Sequence, residues 1–79
     1  MSADYKGVLE LIRQNQWEDA HIKVQKMSGA LASEIHGYLH RIEGDFGNAG
    51  YWYSRAGMEL PSNTLDEEFV RLAHKAETN

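Results

Sequence analysis

The chain has 79 residues, 42% hydrophobic and 25% charged, with 8 Lys and Arg against 12 Asp and Glu for a formal net charge of −4. This describes one small domain and argues against nucleic acid as a partner, because phosphate binding needs a concentrated basic patch. The absence of cysteine excludes disulfides, thiol catalysis and thiolate zinc sites, and no run approaches the ~18 apolar residues of a membrane span. Met1–Lys6 lacks the basic start and apolar core of a signal peptide, so a cytoplasmic chain is expected.

One proline, Pro61, and no strand-like alternation predict an all-α fold of about five short helices. The first opens at Ser2 as N-cap, carries Tyr5, Val8, Leu9 and Ile12 at helical spacing, and ends near Asn15-Gln16. The second begins at Trp17, with Glu18 and Asp19 favouring the positive end of the helix dipole. Its apolar stripe is Trp17, Ala20, Val24 and Met27, and Ser28-Gly29 stops it. The third runs from about Ala30 to Glu43 with Leu31, Ile35, Leu39 and Ile42 on one face. Gly44 ends it, and Asp45 caps a fourth helix of about Phe46 to Glu59 whose stripe is Phe46, Ala49, Tyr53 and Ala56. Pro61 bars continuation, and Thr64-Leu65-Asp66-Glu67 reads as a capping box opening a fifth helix. That helix buries Leu65, Phe69, Leu72, Ala73 and Ala76, and leaves His74 exposed.

The stripes of the second and fourth helices superimpose under a shift of 29 residues: Trp17 on Phe46, Ala20 on Ala49, Val24 on Tyr53, Met27 on Ala56. Within the second unit, Gly37, Ala49, Tyr53, Ala56 and Pro61, together with the turn Glu43-Gly44-Asp45-Phe46, resemble a tetratricopeptide repeat. The match covers about Ala30 to Pro61. In the first unit it covers only the second helix, with Val8 standing where the glycine would be. The resemblance implies two helix–turn–helix units, 2–28 and 30–61, with a capping helix over 64–77. It also implies a non-enzymatic scaffold that binds a protein partner or self-associates. The chain departs from the family at Ser33, His36 and His40, which replace the usual large residues of the first helix facing the second. Glu34, Tyr38 and Arg41 stand where some members clamp a peptide carboxylate.

His36 and His40 are four apart on one helix, Glu43 follows three later, and His21 adjoins Ala20 on the preceding helix. These four residues form a candidate site for a divalent metal. The structural counterpart is a polar network in which the imidazoles hydrogen-bond to Tyr53, Asp45, Glu43 or the backbone. Arg41, Glu43, Asp45 and Arg55 crowd the second turn, either as anion donors or as ion pairs that fix it. Tyr51-Trp52-Tyr53 places one aromatic in the core and leaves Tyr51 or Trp52 for a neighbour or a partner, with Arg55 within cation–π reach of both. Tyr38, Arg41, Tyr51, Trp52 and Arg55 are thus the candidate binding residues. Gly47, Gly50 and Gly57 are expected at close helix approaches. The glycine-rich run 44–50 lacks a P-loop lysine, and there is no nucleophile elbow; a histidine acid–base enzyme, favoured only by the density of His, Tyr and Arg, ranks last.

Overall fold

The computed structural model describes residues 4–78. The chain is all-helical: α1 (Tyr5–Arg13), α2 (Trp17–Gln25), α3 (Ala30–Ile42), α4 (Phe46–Arg55) and α5 (Leu65–Thr78). Ser2, expected as the first N-cap, lies outside the described residues; the carboxylate of Asp4 caps α1 by accepting from the Gly7 amide at 3.0 Å. At α5 the capping box forms in both directions, Glu67 N–H to Thr64 Oγ1 at 3.1 Å and Thr64 N–H to Glu67 Oε1 at 2.9 Å.

The two inter-helix turns repeat each other. Asn15 and Gly44, 29 residues apart, adopt the left-handed conformation with φ of 62° and 81°. In each turn the following amide reaches the carbonyl five residues back, Gln16 to Leu11 and Asp45 to His40, both at 2.9 Å. The same motif ends α4 at Gly57 (φ 81°), with the Met58 amide on the Tyr53 carbonyl. Helix four therefore stops at Arg55 and not near Glu59. A left-handed glycine ends it four residues before the proline does, so Gly57 serves as a cap and not as a packing point.

α1 pairs with α2 and α3 with α4, and α3 also packs on α2. The core runs through Val8, Leu9, Ile12, Ala20, Val24, Leu31, Ile35, Leu39, Tyr53 and Leu72. Gly37 sits at the α3–α4 seam, where a β-carbon would lie 2.7 Å from the Tyr53 ring and 3.0 Å from the Ala49 carbonyl oxygen. Gly47 and Gly50 differ: a β-carbon at either meets nothing within 4 Å, so no close helix approach explains them. Ile42, Phe46 and Leu65, assigned to the apolar stripes, are exposed because no element among the described residues covers their ends of the helices.

α5 lies across α3 and α1. A buried polar network helps hold it there. Glu68, fully buried, accepts from Tyr53 Oη (2.7 Å), Asn63 Nδ2 (2.9 Å) and Arg71 Nε (2.8 Å). Arg71 continues to buried Glu34 at 2.7 Å, whose second oxygen takes Lys75 at 2.9 Å. Burial pushes the Glu68 carboxyl up, but the hydrogen bonds from Arg71, Asn63 and Tyr53 outweigh it and hold the group below its ordinary value.

Candidate functional site

α2 and α3 bring His21, His36 and His40 together. On α3, His36 and His40 share a face at i,i+4 and are almost fully buried, 5% and 6% exposed. The α2–α3 contact then sets His21 against them. His36 Nε2 and His21 Nε2 are 3.0 Å apart, and one donor atom from each of the three imidazoles lies within 4.8 Å of the others. His40 Nδ1 meets Glu43 Oε1 at 2.6 Å. A carboxylate accepts only, so Nδ1 of His40 carries the proton of this hydrogen bond, and Nε2 is the nitrogen left to act as a ligand when the ring is neutral.

Two indoles enclose the cluster. Trp17 stacks on His21 with centroids 4.8 Å apart, and Trp52 stacks on His36 at 3.8 Å, both 10° from coplanar. Trp17 is fixed by its own indole N–H, which donates to the Leu39 carbonyl at 2.7 Å. Burial first, and then the neighbouring imidazoles, push His36 down to about 4. Burial and His40 also lower His21, against the opposing pull of Glu18 and Glu43. Both rings are therefore neutral at pH 7, the form in which imidazole nitrogens bind metal. A cavity of about 190 Å³ lined by Met27, Ser33, His36, Trp52 and Arg55, among others, opens beside the cluster.

The His21–His36 contact is a nitrogen-to-nitrogen hydrogen bond, and its spacing is also close to that of two ligands on a transition-metal ion. At metal–nitrogen distances near 2.0–2.1 Å, tetrahedral ligand nitrogens stand about 3.3 Å apart. The His21–His36 pair is within a few tenths of that separation. Neutral imidazoles suit Zn, Cu, Ni and Co better than Mg or Ca, which prefer oxygen. Glu43 meets His40 from the outer side, where a carboxylate orients a ligand ring.

The other candidate residues part company. Tyr38 and Arg41 are buried and engaged within the chain: the Tyr38 hydroxyl donates to the Leu65 carbonyl (2.9 Å), and Arg41 Nη1 donates to Asn63 Oδ1 (2.9 Å). The charged set at the second turn is not one network. Arg41 turns toward Asn63, Glu43 toward His40, and Asp45 caps α4 by accepting from the Asn48 amide. Tyr53 bonds Glu68 and not an imidazole. Arg55 lies over the rings of Trp52 (5.1 Å) and Tyr51 (5.9 Å), so these three residues associate on α4 itself.

Sequence reasoning missed Glu34 and Glu68 as buried groups. The signal was present, since Glu68 sits three residues after Leu65 and four before Leu72, on the apolar stripe of α5. Comparison with protein-family models, curated proteins and solved structures returned no match for this chain.

Proposed function

We propose that this protein binds a divalent transition-metal ion of the imidazole-preferring class through His21, His36 and His40, with Glu43 orienting His40. One observation carries the reading: three nitrogens from two helices converge within 4.8 Å behind a shell of two indoles. Three protein ligands leave a coordination position for water or a small ligand, as in zinc sites that are not purely structural. The helical frame is the scaffold. Its paired hairpins and the Gly37 seam support the tetratricopeptide-like reading, and the frame by itself implies no reaction.

The test uses untagged protein stripped with chelator and titrated with Zn²⁺ by calorimetry and with Co²⁺ by visible absorption. One ion per chain is expected, with quenching of tryptophan fluorescence by Cu²⁺, because Trp17 and Trp52 each stack on a ligand ring. Metal at a hundredfold excess over Kd raises stability by about 2.7 kcal/mol. For a domain this small that corresponds to a Tm increase of about 10–20 °C. Glu43→Gln weakens binding about 10–100-fold. Absence of stoichiometric binding, with Tm indifferent to chelator and Zn²⁺, overturns the proposal and leaves the imidazoles as a packing network.

A further inference from the structure

The two α3 imidazoles differ in what meets their second nitrogen. His40 Nδ1 has the Glu43 carboxylate. His36 meets His21 through Nε2, and its Nδ1 makes no hydrogen bond among the described residues. His36 is only 5% exposed, yet none of the buried polar side-chain atoms described lacks a partner. Nδ1 is therefore not sealed in: it opens on the cavity that His36 lines. The cavity volume of about 190 Å³ exceeds the roughly 150 Å³ of an engineered cavity that takes benzene.

The wall of this cavity is cationic and carries no acid. Arg55 lines it, and no carboxylate does. Although the chain holds 12 acidic residues, Arg55 makes no ion pair among the described residues. Its Nη1 donates to Tyr51 Oη at 3.2 Å, which leaves the other guanidinium N–H groups for an acceptor. Trp52 stacks on His36 and lies 5.1 Å from the Arg55 guanidinium, so one indole positions both polar groups beside the opening. Gly29, the N-cap of α3, offers no side-chain acceptor, and the positive end of that 13-residue helix borders the same cavity. Val24 and Met27 make the wall apolar elsewhere.

We propose that this cavity binds a small organic carboxylate, anchored by Arg55 and by the His36 Nδ1–H, with its carbon body against Val24 and Met27. A single guanidinium matches a single negative charge in the planar fork geometry that carboxylates share with arginine. The apolar wall suits a carbon body, which inorganic phosphate lacks. The His36 anchor rests on the metal reading: a metal on Nε2 leaves Nδ1 as the protonated nitrogen and makes it a donor. The bound carboxylate then orients His36 as Glu43 orients His40. Metal and carboxylate consequently tighten each other's binding by the same factor.

The test titrates untagged, ¹⁵N-labelled chain with benzoate, first stripped of metal and then saturated with Zn²⁺. The amides of Gly29, Ala32 and Ser33 and the Trp52 indole N–H report the site by NMR, because these residues line the cavity. Saturable shifts are expected, with a Kd of about 1 mM in the stripped chain, within reach of a ligand this small. Zn²⁺ tightens benzoate about tenfold, and benzoate tightens Zn²⁺ equally. Arg55→Gln weakens benzoate at least about tenfold, and benzamide, of like shape without the charge, binds the unaltered chain at least about tenfold more weakly. If Zn²⁺ fails to bind while benzoate binds through Arg55, the metal reading falls and the carboxylate site stands. If Zn²⁺ binds and benzoate gives no saturable shift, binds no better than benzamide or ignores Arg55→Gln, the carboxylate site falls and the metal reading stands. Benzoate affinity unmoved by bound Zn²⁺ overturns the His36 anchor, and phosphate binding more tightly than benzoate overturns the ligand class.

Discussion

Gly37→Ala tests the α3–α4 seam directly. An added methyl would stand 2.7 Å from Tyr53 Cδ2, 2.8 Å from Cε2 and 3.0 Å from the Ala49 carbonyl oxygen. The tyrosine ring cannot swing aside, because it is fully buried and its hydroxyl is held by Glu68 at 2.7 Å. The carbonyl belongs to the α4 backbone, so the two helices must separate. Overpacking of this kind costs about 1–3 kcal/mol, and a methyl contacting both ring and backbone falls at the upper end. Alanine recovers about 1 kcal/mol through better helix propensity. The net loss is about 1–2 kcal/mol, a Tm decrease of roughly 5–15 °C for a domain of this size. Gly47→Ala is the matched control, because its methyl meets nothing within 4 Å. Measured in dilute solution, it keeps only the propensity term and stabilises by up to about 1 kcal/mol. Urea denaturation of both variants at low protein concentration gives the comparison. If Gly37→Ala stabilises as Gly47→Ala does, the seam is not where the structure places it and the reasoning fails.

Other outcomes follow from the buried polar groups. With metal stripped, His36 titrates near 4 in the folded chain against an ordinary 6.5, so the unfolded chain binds the extra proton between these values. Stability should therefore be level above pH 6.5 and fall as the pH drops below it, by up to about 3 kcal/mol in all. Urea midpoints between pH 6.5 and 5, above most carboxylate titrations, check the sign, and a flat profile there refutes it. Glu68→Leu strands the Tyr53 hydroxyl and the Asn63 amide, leaves Arg71 with Glu34 alone, and should cost about 2–4 kcal/mol by denaturant unfolding. Glu34→Leu should cost less than about 2 kcal/mol, because Arg71 retains Glu68 and the half-exposed Lys75 returns to water. Thr64→Ala removes one half of the α5 capping box and should lower stability by about 1 kcal/mol in the same assay.

Helix number, the turn at Gly44, the capping box at Thr64 and the 29-residue repeat were legible along the chain, because each depends on residues within one or two turns of each other. Asn15 is the instructive case. It occupies the left-handed position that Gly44 holds 29 residues later, and asparagine is the other residue that tolerates it. The seam at Gly37 was readable only through the resemblance, which implies a glycine where paired helices meet; the structure supplied Tyr53 and Ala49 opposite it. Sequence placed His36 and His40 on one face; only the approach of α2 to α3 put His21 Nε2 3.0 Å from His36.

The tertiary structure likewise decided the position of α5, the burial of Glu34 and Glu68 beneath Arg71, and the open face at Gly47 and Gly50. An amphipathic pattern states that a helix has an inner side but not which element meets it. A carboxylate on that side becomes affordable only when cations and hydroxyls distant in sequence arrive to satisfy it. Periodicity and capping act over a few residues and are written in their order. The meeting of one helix with another is selected by the packing of all five at once.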